Sequence, residues 1–185
     1  MLHLEKLESK DPKIKYGYAK ELTQLASTAP QLLLPYYAEW LKLLHHPNNI
    51  IKWTAIDIIG RLSAADSDGS TITALPNIIA LLHSGKLITS GHAIAALCMI
   101  AKNIPSMKDA ILIELFKVAE DVFETTECRN IAIGHVLKGL IDFTPDIKHN
   151  TAAKLLIDKA MANSRNATRI KAAKLSKKLA YELHT

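Results

Sequence analysis

The residues Tyr18, Ala55, Ala93, Ala132 and Ala172 recur at intervals of 37, 38, 39 and 40, each inside the same helical pattern. A period of this size constrains the chain to a stack of helix pairs, because each unit buries its apolar face only against its neighbours. The pattern is clearest in Ile51–Leu62, where Ile51, Ala55, Ile59 and Leu62 form one helical stripe and Lys52, Trp53, Asp57 and Arg61 lie off it. The same frame places Ile14, Tyr18, Leu22 and Leu25 on the stripe of the first unit, and Ala93, Leu97 and Ile100 on that of the third. Ala132 and Val136 continue it in the fourth, where Gly139 stands at the last position, and Ala172 and Leu179 mark the fifth.

Between these segments lie further amphipathic stretches, Pro30 to Leu44, Thr71 to Leu82, Met107 to Asp121 and Pro145 to Met161, which read as partner helices. Short turn signals separate them, among them His46-Pro47-Asn48-Asn49, Asp66-Ser67-Asp68-Gly69-Ser70 and Ser84-Gly85. Thr144-Pro145-Asp146 reads as an N-cap, a proline at the first helical position and an acid in the first turn. Loops this short make consecutive helices pack antiparallel. The isoleucine-rich Asn49–Ile59 has strand propensity, but its apolar residues do not alternate, and the segments in phase with it are alanine-rich. The expected fold is therefore all-α: a right-handed α-solenoid of about four to five antiparallel helix pairs. Its units span about 1–28, 30–64, 71–103, 105–143 and 145–183 of a single 185-residue domain.

Ile51–Leu62, preceded by Leu34-Pro35 and Leu41-Lys42-Leu43-Leu44, resembles the second and first helices of a HEAT repeat, and Leu75-Pro76 with Leu81-Leu82 repeats the first-helix feature. The resemblance runs through nearly the whole chain and implies a HEAT-like, armadillo-type superhelix. It departs from the pattern at Ser90, which replaces the basic residue found at Lys15, Lys52, Arg129 and Arg169, and at Gly139, where leucine is expected. Thr126–His135 is also similar to a segment of bacterial HEAT-repeat proteins with no assigned activity. A fold of this kind names no reaction.

An apolar content of 49% with 22% charged residues is that of an ordinary globular chain. Cys98 and Cys128 both fall inside expected helices, as free reduced thiols do, so a disulfide framework is not expected. The opening Met1–Glu8 alternates leucine with charge, unlike a signal peptide. Its most apolar run, Ala93 to Ala101, is shorter than the roughly 20 residues of a spanning helix. The expectation is a cytoplasmic protein with no membrane partner.

The net charge of +5 has a location. Residues 164–185 carry six basic residues against Glu182, and the rest of the chain sums to zero. Across the second helices the bases Lys15, Lys20, Lys52, Arg61, Lys102, Arg129, Lys138 and the C-terminal cluster outnumber Glu21, Asp57 and Glu182. The first helices hold Glu39, Asp109, Glu114, Glu120, Asp121, Asp146 and Asp158. In HEAT-like solenoids the second helices line the concave side. Sorted charge of this kind therefore predicts a concave face that receives an acidic partner through Lys15, Lys20, Lys52, Trp53, Asp57, Arg61, Arg129 and Lys138. The alternative is that the lysines only solvate helix flanks and cap helix ends.

Trp53 lies one turn before Asp57 and two before Arg61, off the stripe, where tryptophan serves as an interface anchor. The arrangement resembles a DNA glycosylase family built on HEAT-like repeats, in which a Trp and an Asp at this spacing help form a DNA-binding cleft. That family also places an arginine in the next helix pair, where this chain has Gly91, His92 and Ala95. The competing reading packs the Trp53 ring on an adjacent helix. On the expected terminal helix, Ala167 to Leu183, Lys171, Lys174 and Lys178 share one face, either as a phosphate-backbone or acidic-surface contact or as the polar cap a solenoid end requires.

No metal, cofactor or catalytic site is expected. Cys128 with His135, and His92 with Cys98, lack the close paired spacing of a zinc site. Asp66-Ser67-Asp68-Gly69 brings its glycine too early for a calcium loop and has Asn77 at the twelfth position, so it reads as a polar turn. His45-His46 reads as a helix end, and Asn166-Ala167-Thr168 as a silent glycosylation triplet. The sequence thus points to a noncatalytic protein-binding scaffold, with a nucleic-acid-binding or DNA-repair protein as the second reading and an enzyme accessory subunit as a weaker third.

Overall fold

Polar side chains set where the helices begin. Asp11 accepts from Lys13 N (2.8 Å) ahead of Pro12, Asn48 from Ile50 N (3.0 Å), Thr125 from Cys128 N (3.0 Å) and Asn150 from Ala153 N (3.0 Å). In the Asp66–Ser70 turn, Asp66 accepts from Thr71 N (2.7 Å) and Asp68 from Ser70 N (3.0 Å), so the acids serve the next helix. A computed structural model describes residues 2–179, and among them there is no β-strand. The α-helices are α1 (Pro12–Thr28), α2 (Tyr37–Leu43), α3 (Asn49–Leu62), α4 (Ser70–Leu82), α5 (Leu87–Asn103), α6 (Lys108–Lys117), α7 (Thr126–Gly139), α8 (Thr144–Ile147), α9 (Thr151–Met161) and α10 (Asn166–Leu179). The end of the fifth expected unit, with Glu182 and Leu183, lies outside the described residues.

The architecture is an all-α solenoid. Each second helix packs on the next in the order α1, α3, α5, α7, α10, and these five form a continuous layer. The first helices sit on that layer: α2 on α3, α4 on α5, α6 on α5 and α9 on α10. Asn49–Ile59 is helical, and the expected stripe Ile51, Ala55, Ile59 and Leu62 is fully buried. Ile56 and Ile58 are buried as well, because α3 has neighbours on both flanks as well as beneath it. In the first unit only the short 3-10 turn Leu4–Glu8 stands in for a first helix, and Ile14 is left 48% exposed at the position where Ile51 is buried.

The first helices depart most from the sequence expectation. The stretch from Pro30 is broken into 3-10 turns at Pro30–Leu32 and Leu34–Tyr36 before α2 begins, as prolines at these positions dictate. Trp40 of α2 is fully buried and its Nε1–H donates to Leu33 O (3.1 Å), which ties the broken segment to the core. The stretch Pro145–Met161 is two helices, since Asn150 caps a new start at Thr151. Thr144 is the first residue of α8 and makes no side-chain cap, while Asp146 accepts from Lys108 Nζ.

Small residues let the second helices approach. A Cβ on Gly60 would fall 2.8 Å from Ala96 Cα, so α3 and α5 meet backbone to backbone. Gly139 occupies the expected leucine position because Cys98 of α5 fills that space; a Cβ there would lie 2.5 Å from its Sγ. Burial, with a smaller contribution from Asp142, pushes the Cys98 thiol up to about 12. Ser90, which replaces the basic residue of the frame, is fully buried between helices, where a lysine ammonium would lose its water. Gly139→Leu, the residue the repeat calls for, is expected to lower stability in urea unfolding by about 1–3 kcal/mol through overpacking. Combining it with Cys98→Ala should recover part of the loss.

Candidate functional site

Trp53, Asp57 and Arg61 follow one another by helical turns along α3, and each reaches a neighbouring second helix. Trp53 Nε1–H donates to the buried Thr89 Oγ1 (3.0 Å), and its ring stacks on His92 at 5.4 Å with planes 9° apart. His92 Nδ1–H donates to Asp57 Oδ1 (2.8 Å), which fixes the imidazole from its edge while Trp53 covers its face. Arg61 turns the other way and donates to Ser27 Oγ (2.8 Å) on α1 and Asp57 O (3.2 Å). Trp53 is thus half-buried and packed against the core. Of the two readings, the one that packs the ring on an adjacent helix agrees with the structure. His92 and Thr89 were not foreseen as its partners, although the 35-residue separation of Asp57 and His92 is close to the repeat spacing.

Next to His92 a groove of about 410 Å³ opens between α5 and α7, lined by Leu87, Ile88, Gly91, His92, Ala95 and His135. A Cβ on Gly91 would just touch His135 Cδ2 at 4.0 Å, so glycine keeps the groove wide. On the far side of His135, Lys171 of α10 lies across Gly134 of α7, with its Nζ 3.3 Å and Cδ 3.6 Å from where a Cβ would stand. Burial, followed by Lys171, Lys138 and Arg165, lowers the proton affinity of His135. Burial, followed by Arg165 and Lys138, does the same to Lys171. Lys138 and Lys171 form no ion pair among the described residues, and Arg165 pairs with Glu127 (2.9 Å) in the first turn of α7.

The other expected site residues are scattered. Lys15 and Lys20 lie on α1 and Lys52 on α3, all at least partly exposed and without an ion pair among the described residues. Arg129 is apart from them and lines a separate groove with Glu120, Leu156 and Lys159, beside α9. Lys174 is exposed on α10, while Lys178 Nζ donates to Ile141 O (2.9 Å). The structure therefore joins Trp53, Asp57 and Arg61 at one place and Lys138 and Lys171 at another, with the α5–α7 groove between them.

The acids of the first helices and their turns are mostly neutralised where they stand. Glu114 pairs with Lys117 (2.7 Å), Glu120 with Lys159 (2.7 Å), Asp158 with Lys154 (2.7 Å), Asp146 with Lys108 and Glu39 with Lys42 (3.8 Å), while Asp121 accepts a hydrogen bond from His83 Nδ1 (2.8 Å). Hydrogen bonding to Lys117 and Lys159 holds the Glu114 and Glu120 carboxyls below the usual range. Among the described residues no group of three or more His, Cys, Asp or Glu side chains is placed to hold a metal ion, and no helix is long and apolar enough to cross a membrane.

The geometry is that of a solenoid of stacked helix pairs, the architecture that the HEAT-like resemblance implies. No family profile matches the sequence and no curated protein matches it. Among solved structures, an engineered protein determined as a structural-genomics target aligns over 97% of this chain and 99% of its own, at 15% identity and a TM-score of 0.51. That likeness establishes the fold alone. A designed armadillo repeat protein aligns over 95% of this chain and 98% of its own at 17% identity, with a TM-score of 0.40.

The lowered basicity of His135 makes stability depend on pH. As pH falls through about 6.5, the unfolded chain takes up this proton before the folded one does, so stability declines from there until the folded group titrates too. Urea midpoints measured from pH 8 to pH 5 should fall less steeply for His135→Gln than for the parent chain.

Proposed function

We propose that this chain is a noncatalytic protein-binding scaffold whose second-helix layer, concave as in other helix-pair solenoids, receives an acidic partner. One observation carries the reading: first-helix acids are largely paired with local bases, whereas Lys15, Lys20, Lys52, Lys138 and Lys171 on the second helices have no carboxylate partner among the described residues. Cations left unpaired on one layer give that layer a positive potential that steers and selects an acidic surface. The armadillo/HEAT-like fold agrees with this, since its stacked units build extended surfaces.

The nucleic-acid reading is weaker. A phosphate backbone is tracked by a continuous run of cations. Here Asp57, the stacked Trp53–His92 pair and the apolar groove interrupt the run between Arg61 and Lys138. The discriminating experiment is anisotropy with a fluorescein-labelled oligo-glutamate peptide and a single-stranded oligonucleotide of equal charge. The peptide is expected to bind, and joint reversal of Lys52, Arg61 and Lys138 to Glu to weaken it at least tenfold with the helical circular dichroism intact. Unchanged binding by the reversed variant defeats the proposal, and preference for the oligonucleotide moves the assignment to nucleic acid.

A further inference from the structure

The meeting of α7 and α10 concentrates positive charge. Lys171 is laid over Gly134, so its stem is partly buried and its ammonium lies within electrostatic reach of His135, Lys138 and Arg165. Glu127, in the first turn of α7, is engaged by Arg165. Adjoining this cluster through His135 is the groove walled by Leu87, Ile88 and Ala95, with Ile88 56% exposed. We propose that this junction is a phosphate subsite: Lys171, Lys138 and His135 hold the phosphoryl group of a phosphorylated serine or threonine in a partner peptide, and an apolar neighbour of that residue occupies the α5–α7 groove. The proposal rests on the protein-binding reading above and adds the chemistry of the bound residue.

Charge decides for phosphate over carboxylate. A phosphoserine carries a charge of about −1.5 to −2 at neutral pH and three acceptor oxygens, which matches two unpaired ammonium groups with an imidazole beside them. A single carboxylate leaves one lysine uncompensated. Burial first, and after it the repulsion among Lys171, Lys138 and Arg165, lowers the basicity of Lys171 and His135, and a bound dianion offsets the repulsive part. A peptide is favoured over nucleic acid because the cluster is local and borders an apolar groove, which takes a side chain better than a second phosphate.

The test uses the full chain, with the histidine ring signals followed by NMR. The probes are N-acetyl-phosphoseryl-leucinamide, its glutamyl analogue and the unphosphorylated seryl peptide. Saturable shifts at His135 are expected for the phosphorylated probe, at least tenfold tighter than for the glutamyl one. Lys171→Gln should lose at least tenfold in affinity, and Lys10→Gln, an exposed lysine outside both binding surfaces, should lose none. Equal affinity for the phosphoseryl and glutamyl probes overturns the phosphate assignment while leaving the acidic-partner reading intact. Absence of a saturable shift, or equal losses from Lys171→Gln and Lys10→Gln, also overturns the subsite, and the oligo-glutamate measurement then decides the broader reading independently.

Discussion

Everything in this molecule depends on the side-by-side contact of successive second helices. Five of them, from Pro12–Thr28 to Asn166–Leu179, form one layer, and the first helices are braced on it. The contact is close because small residues sit where helices cross: Gly60 against Ala96, Gly139 against Cys98, and Gly134 beneath Lys171. Larger side chains there would push the helices apart and open voids in a core that is packed as densely as an organic crystal. The glycine at position 139, which breaks the repeat pattern on paper, completes a neighbouring pocket in three dimensions.

The same layer gathers the chemistry. Helices packed this tightly present their free faces together, so residues about one repeat apart become neighbours: Trp53 with Thr89, Asp57 with His92, Ser27 with Arg61. Bonds of this type join units laterally and restrain the side chains that face outward. On the first helices and their turns the charges close locally instead, as Lys117 does with Glu114 and Lys154 with Asp158. Surface pairs like these add little stability, about 0–1 kcal/mol each. Their consequence is electrostatic: the outer helices are near neutral and the second-helix layer keeps its positive charge.

What could be read in advance, and what could not, follows from the range of the forces involved. The period and the apolar stripe were legible because burial of Ile51, Ala55, Ile59 and Leu62 is a one-dimensional pattern on a helix. The stripe failed at Ile14, where only the Leu4–Glu8 turn replaces a first helix. The expected bias of the second helices towards basic residues omitted Glu127, which lies in the first turn of α7 and neutralises Arg165. The spacing of Trp53, Asp57 and Arg61 is visible along the chain, but the stacking of Trp53 on His92 depends on the distance between two helices, which no spacing within either one encodes.

By itself the sequence determined the helical solenoid, its period and the sorting of charge between first and second helices, because periodic burial and residue type act along the chain. Only the tertiary structure decided which of those residues meet. Whether Lys171 falls across Gly134, or Arg129 turns toward Glu120 and Lys159, depends on helix rotation and crossing distance, and those are set by the fit of side chains on separate units. The apolar stripe belongs to one helix at a time, and the groove beside His135 belongs to several.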